Sequence, residues 1–232
     1  MPRESFDRKL KLIQDEILLL GSMVEQAMLS SVEALKRRDI PKSKQIYEDD
    51  IHINDRRYAI ENAILILLAT QQPLAHDLRM LAAMLEVNTE LERMGDYAKG
   101  IAKVTVKLGE SDIQIPVREI EQMATLAVNM LHLSLSAFIS EDASKARSIP
   151  QQDDQVDELY NLIYHKMVQS MIAEPEIIDQ ANLLMWVAHN IERMADRVTN
   201  ICERTVFIAT GEMLEMDLDD EDEPDYPEQS LT

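Results

Sequence analysis

The residues best suited to chemistry are carboxylates that recur at one spacing in two places. Glu-Arg-Met-x-Asp stands at 92–96 and again at 192–196. On an α-helix, residues four apart share a face, and two carboxylates placed there repel each other. A chain that repeats this arrangement is expected to compensate it with a cation. Ligand sets made only of oxygen suit hard cations such as Mg²⁺, Mn²⁺, Ca²⁺ or ferric iron.

A further polar pair accompanies each motif. Asp50 and Asn54 precede Pro73 by about as many residues as the first motif follows it. Antiparallel helices joined at that proline would hold both pairs at one level. The second motif has an equivalent pair before Pro175. The predicted metal ligands are Asp50, Asn54, Glu92 and Asp96 in a first patch, and Asp153, Asp157, Glu192, Asp196, Asn200 and Glu203 in a second patch.

The two patches are not equally acidic. Asn54 stands where the second patch has Asp157, and Lys103 stands where the second patch has Glu203. A lysine competes with a bound cation, whereas an additional carboxylate attracts one. The second patch is therefore expected to bind metal better than the first.

Another interpretation keeps the carboxylates purely structural. Arg93 and Arg193 could pair with acids across a bundle, and Glu-x-x-x-Asp spacings also arise by chance on surface helices. His189, three residues before Glu192, could assist a metal or form an ordinary hydrogen bond on the helix surface. Cys202, the single cysteine, cannot form an intrachain disulfide and is expected to be a buried, inert thiol.

Motifs typical of enzymes are missing from the sequence. It contains no G-x-x-x-x-G-K-[ST], no G-x-G-x-x-G and no H-E-x-x-H. A ferritin-like di-iron centre needs Glu-x-x-His, and no histidine follows a glutamate at that spacing. These absences favour a protein without catalytic activity over a metalloenzyme.

Composition limits the fold and the partners. The 232 residues include 43 acidic and 23 basic side chains, for a formal net charge of −20, which disfavours binding to nucleic acid. Five glycines and 4% aromatics are too few for a typical all-β fold. The longest apolar run, 63–69, is about a third of a membrane span, and 1–20 lacks the apolar core of a signal peptide. We expect a cytoplasmic protein without membrane insertion, which could still dock on a membrane protein.

The hydrophobic pattern predicts an all-α fold with six long helices. Apolar residues recur at steps of three and four, and prolines and glycines mark the ends. The predicted helices cover about 4–37, 41–71 and 74–108, then begin at Pro116, after Asp142 with a kink or restart at Pro150, and at Pro175, the last one running to about 211.

The chain also repeats itself. At an offset of 100, six of the 15 positions in 87–101 are identical in 187–201. This predicts two tandem, pseudo-symmetric three-helix bundles at 1–110 and 111–212. The remaining 213–232 is rich in acids and contains no basic residue, which predicts a disordered acidic tail.

Three segments resemble the PhoU family of phosphate-signalling regulators. They are Gln-Gln-Pro-Leu-Ala-His-Asp-Leu-Arg at 71–79, Leu-Glu-Arg-Met-Gly-Asp-Tyr-Ala at 91–98, and 190–204, and the resemblance extends over about 5–212. It implies the same fold of two three-helix bundles. It also implies metal clusters, often of iron or zinc, held on the helix surfaces by the acids of the duplicated motif.

The resemblance further implies a regulatory role. Such a protein would be a negative regulator of the phosphate regulon, coupling a phosphate ABC transporter to its membrane sensor histidine kinase from the cytoplasmic side. A homodimer is expected. The alternatives are a carboxylate-bridged metalloenzyme or iron store, a plain helical scaffold with solvated acids, and an accessory protein of a different phosphate permease.

Overall fold

The computed structural model describes residues 3–216, and every regular element within that range is helical. The elements are α1 (Arg3–Arg37), α2 (Ile40–Gln71), α3 (His76–Leu108), α4 (Val117–Ser140), α5 (Ala143–Ser148), α6 (Asp153–Ala173) and α7 (Ile178–Thr210). The predicted all-α class with six long helices is confirmed, and α5 is one additional short helix. From residue 217 onward, the predicted tail lies outside the described residues.

The helix ends follow from local chemistry. The Asp39 side chain accepts a hydrogen bond of 2.9 Å from the backbone N–H of Lys42 and so caps α2. Gln72 ends α2 in the left-handed conformation directly before Pro73. At Pro150 the chain forms a single 3₁₀ turn and then restarts as α6, as the proline predicts.

The six long helices share one hydrophobic core. α1, α2 and α3 pack on one another, and so do α4, α6 and α7. The two groups meet where α3 packs on α7 and α1 packs on α4, whereas α2 contacts only α1 and α3. The largest buried cluster contains residues from both groups, among them Ile17, Met84 and Phe138. The apolar stripes read from the sequence are therefore core.

The crossing of α3 and α7 places the two motifs back to back. Trp186, near the start of α7, lies against Gly100 near the end of α3, and Arg204 pairs with Glu86 in the opposite direction. The helices therefore run antiparallel. The middle of the crossing falls at Met94 and Met194, which are both fully buried. The methionine of each motif therefore lies in the shared core. The acids of the first motif lie beside α2, and those of the second motif lie beside α6.

Within residues 3–216, two helices, α1 and α4, are long and apolar enough to cross a membrane. In the most apolar stretch of each, 44% and 50% of the residues are buried inside the protein. A core helix of a helical bundle meets the same criteria, because its buried stripe raises the apolar content. The burial of these two stripes against α3 and α7 explains their composition.

Candidate functional site

The first patch forms where α2 lies beside α3. Asp50 of α2 is almost completely buried, with 5% of its surface exposed, while Glu92 of α3 is half-buried. Burial raises the pKa of Glu92, and repulsion from Asp96 and Asp50 raises it further. The carboxylates of the two helices therefore lie in one neighbourhood, at the common level that their distances from Pro73 predict.

A lysine lies among these carboxylates. Lys99 Nζ is 2.6 Å from Asp50 Oδ2 and 3.6 Å from Asp96 Oδ1. Asn54 donates from Nδ2 to the same Asp50 oxygen at 2.8 Å. The hydrogen bond to Asp50 raises the pKa of Lys99, so the ammonium stays charged at neutral pH.

Sequence reasoning named Lys103, not Lys99, as the lysine that competes with a cation in the first patch. Lys103 does not pair with Asp50. Its Nζ lies 5.0 Å from the centre of the Tyr47 ring, and Lys99 Nζ lies 5.3 Å from the same ring. The missed signal was the spacing of Lys99 three residues after Asp96, which places both on one helical face. With a bonded ammonium among its acids, the first patch does not fit a metal ion as it stands.

The second patch forms where α6 lies beside α7. Burial raises the pKa of Glu192 to about 7, and repulsion from Asp196, Asp157 and Asp153 contributes in that order. The acids of α6 and α7 are therefore brought together in the second patch as well. Arg193 opposes this repulsion, with its guanidinium 5.1 Å from the centre of the Tyr97 ring on α3.

His189 is part of the second patch. Its Nδ1 lies 2.9 Å from Glu192 Oε2, a hydrogen bond to which a neutral imidazole contributes an N–H. Burial lowers the pKa of His189, as does the charge of Arg193, which favours the neutral ring. Of the two roles considered for this histidine, the structure shows the hydrogen bond.

The remaining two predicted metal ligands, Asn200 and Glu203, lie toward the C-terminal end of α7. Glu203 accepts a hydrogen bond of 2.8 Å on Oε1 from the backbone N–H of Met216. Leu214 and Met216 pack against the core, so the segment after Gly211 folds back along α7. Asn200 is half-buried between Asp196 and Glu203 in the helix. Sequence spacing placed Glu203 on the correct face but could not reveal this backbone contact.

The donor chemistry of the second patch fits a hard cation better than that of the first. Its side chains offer oxygen atoms, and a divalent ion would relieve the repulsion on Glu192. Within residues 3–216, however, no three His, Cys, Asp or Glu side chains are grouped so that they could hold one ion. Metal binding there would require the exposed Asp196 and the half-buried Asp157 to turn inward.

A polar cluster that sequence reasoning missed joins the two halves. Arg197 of α7 donates from Nε to the Tyr97 hydroxyl at 2.6 Å and from Nη1 to Glu90 at 2.7 Å. Tyr97 and Arg197 occupy equivalent positions of the repeat. In the sequence, only this equivalence could have indicated a contact between Tyr97 and Arg197. It does so only once α3 and α7 are known to cross at the motif.

Comparison with known proteins gives a consistent result along the chain. The model of the PhoU domain matches twice, at residues 17–105 and 120–205. The chain is 34% identical to the phosphate-specific transport system accessory protein PhoU homolog of Clostridium acetobutylicum, over 93% of this chain and 99% of that protein. It is 30% identical to the PhoU accessory protein of Escherichia coli K12, over 89% and 86% of the two chains.

Solved structures agree with these sequence matches. The crystal structure of the phosphate transport system regulatory protein PhoU from Streptococcus pneumoniae superposes with a TM-score of 0.83 at 33% identity, covering 90% of this chain and 99% of the other. PhoU from Pseudomonas aeruginosa gives the same TM-score at 29% identity, covering 89% and 100%. With two domain matches, one in each half, and relatives that align along nearly the whole length, this chain belongs to the PhoU family.

Proposed function

We propose that this protein is a non-enzymatic accessory and regulatory protein of phosphate-specific transport. The observation that carries the proposal is the alignment of nearly the whole chain with proteins named for that role, at 30–34% identity. The relatives are named accessory or regulatory proteins rather than enzymes. The duplicated acidic motif and its pairing with α2 and α6 give the protein two chemically distinct faces on which a partner could act.

The finer proposal concerns signalling. The protein works on the cytoplasmic side, as a homodimer, and associates with the membrane through protein partners. It couples subunits of the phosphate ABC transporter to a sensor histidine kinase, and it represses the phosphate regulon when phosphate is plentiful. The resemblance of the motif segments to the family supports this role, and the net charge of −20 is consistent with protein partners rather than nucleic acid.

Metal binding is the chemical part of the proposal. In the second patch, carboxylates from α6 and α7 hold a metal ion, with iron or zinc proposed from the family and Mg²⁺, Mn²⁺ or Ca²⁺ also compatible with oxygen ligands. The ion acts structurally, by holding α6 against α7 and shaping the surface between them. Burial and repulsion from neighbouring acids raise the pKa of Glu192, and the offset of both by a cation supports this proposal.

Capture of partners from membranes tests the regulatory role. The full-length protein is used as bait on membranes from phosphate-replete cells, and bound proteins are identified by mass spectrometry. We expect enrichment of phosphate transporter subunits and of a sensor kinase. Enrichment of neither contradicts the proposal.

An enzyme assay tests the alternative. Phosphatase and ferroxidase activities are measured on the purified protein and on Glu192→Gln. We expect no turnover in either protein. Turnover that the substitution abolishes would instead support the carboxylate-bridged metalloenzyme or iron store.

A further inference from the structure

We infer that Lys99 is the built-in cation of the first patch, so that the two halves of the molecule differ in their response to metal. The Lys99 ammonium bonds to Asp50 and approaches Asp96, the two carboxylates between which an ion would otherwise bind. At the equivalent position the second half has the uncharged Thr199, and the proposed metal role assigns the positive charge there to an added ion. The inference uses the proposed metal role of the second patch as a reference, but it concerns the first patch, which can be tested separately.

The contacts around Asp50 support this role for Lys99. Asp50 is 5% exposed, and both Lys99 and Asn54 bond to its Oδ2, at 2.6 and 2.8 Å. The same ammonium reaches Asp96 at 3.6 Å. A buried carboxylate with an ammonium and an amide on one oxygen is compensated without any further cation.

Asp50 is not closed off from a metal ion by a lack of space. A cleft of about 290 Å³ between α1, α2 and α3 is lined by Asp50 and Lys99 and, on its apolar side, by Ile53 and Gly95. A water molecule takes up about 30 Å³ of liquid volume, so a hydrated divalent ion fits such a cleft. The cleft is therefore large enough to bring an ion to Asp50, and the Lys99 ammonium already occupies that carboxylate.

The second half lacks this device at the equivalent position. Thr199 corresponds to Lys99 in the repeat and is buried at 4% exposure. Asp157 replaces Asn54, which adds a negative charge. Arg193, the cation that lowers the pKa of Glu192, makes the smallest of the contributions to it and lies over Tyr97. At the position from which Lys99 contacts Asp50 and Asp96, the second patch therefore carries no positive charge.

Removing the ammonium is expected to create a metal site. In Lys99→Met, the buried Asp50 carboxylate has no ammonium beside it, while Asp96 and Glu92 remain close. A divalent ion entering the cleft would then restore the balance of charge. The variant should unfold at a lower temperature than the wild type in the presence of chelator, and Mn²⁺ should recover the lost stability.

Calorimetric titration of the full-length protein with Mn²⁺ tests this directly. We expect Lys99→Met to bind about one more ion per chain than the wild type, or to bind at the first patch at least about tenfold more tightly. Lys99→Gln, which keeps a hydrogen-bond donor near Asp50 without the charge, should behave in the same way and serves if Lys99→Met does not fold. Asp50→Asn with Lys99→Met is the control and should lose the added site. Lys99 variants that bind Mn²⁺ like the wild type overturn the inference.

The reciprocal substitution and a second-patch variant separate this inference from the proposed function. Thr199→Lys should weaken Mn²⁺ binding at the second patch, whereas Thr199→Met, of similar length and uncharged, should not; equal binding by both argues against the role of the ammonium. Glu192→Gln with Asp196→Asn should abolish the wild-type binding. If this double variant binds like the wild type, the proposed metal role of the second patch fails, while the gain in the Lys99 variants still decides the inference.

Discussion

Lys99 and Thr199 occupy equivalent positions of the repeat, yet the charge of the carboxylates around them is compensated differently. In the first half, an ammonium at 2.6 Å compensates Asp50. In the second half, burial and then repulsion from neighbouring acids raise the pKa of Glu192 to about 7. The replacement of Lys99 by Thr199 thus removes one positive charge from the second cluster of acids.

Neutralising Glu192 is expected to stabilise the metal-free protein at alkaline pH. Because the folded-state pKa of Glu192 is raised from 4.5 to about 7, the folded state binds the proton more tightly than the unfolded state. This contribution to stability is fully present below about pH 4.5 and is lost as the pH rises through 7. Glu192→Gln should therefore raise the free energy of unfolding by on the order of 2 kcal/mol at pH 8 and by little at pH 5. Urea denaturation in chelator at both pH values measures it.

A control for this prediction is Glu158→Gln on α6, where the side chain is exposed. We expect that variant to match the wild type at both pH values. A Glu192→Gln variant that is no more stable than the wild type at pH 8 would show that burial and repulsion of the Glu192 carboxylate do not destabilise the folded protein.

The helices show what sequence reasoning can supply at the scale of elements and what it cannot. The C-terminal end of α2 is a local effect of Pro73, and the restart of the chain as α6 is a local effect of Pro150. Both were predictable. The common level of Asp50 and Glu92 followed from counting residues about one turn. The choice of Lys99 over Lys103 depends on side-chain reach between two helices, which periodicity does not contain. The hydrogen bond from Met216 to Glu203 depends on a chain reversal after Gly211 that no motif indicates.

Close packing of α7 on α3 makes Gly100 a sensitive position. A methyl group at Gly100 would lie 2.6 Å from Cη2 of Trp186, so the indole ring must move. Alanine gains about 1 kcal/mol of helix propensity over glycine, but the clash is expected to outweigh this gain. We predict that Gly100→Ala lowers the free energy of unfolding by about 1 kcal/mol and shifts tryptophan emission to longer wavelength.

Trp186 is the only tryptophan, so its emission reports on this contact alone. Lys107→Ala, at an exposed position of the same helix, is the matched control and should leave the emission unchanged. A more stable Gly100→Ala with unshifted emission would mean that α3 and α7 are not in close contact at Gly100.

At the scale of the whole molecule, the two three-helix bundles pack on each other, α3 on α7 and α1 on α4. Met94 and Met194 are both buried in one continuous core, and the acids of the two motifs lie beside α2 and α6. The polar cluster of Arg197, Tyr97 and Glu90 lies at the same junction. The halves should therefore unfold together, with this cluster contributing to their coupling.

A double-mutant cycle measures that contribution. Arg197→Met leaves the Glu90 carboxylate, which is 13% exposed, without this guanidinium, and we expect a loss of about 3 kcal/mol. Glu90→Gln in the same chain should recover part of it, with a coupling energy of about 1–3 kcal/mol from urea denaturation. Additive effects of the two substitutions would show that the pair does not couple the halves.

The most direct test of the different metal response of the two halves is anomalous X-ray scattering from crystals grown with Mn²⁺. The account predicts a manganese peak between α6 and α7, near Glu192 and Asp196, and no peak between α2 and α3, where Lys99 contacts Asp50. A peak beside Asp50 in the wild-type protein, or none near Glu192, would contradict it.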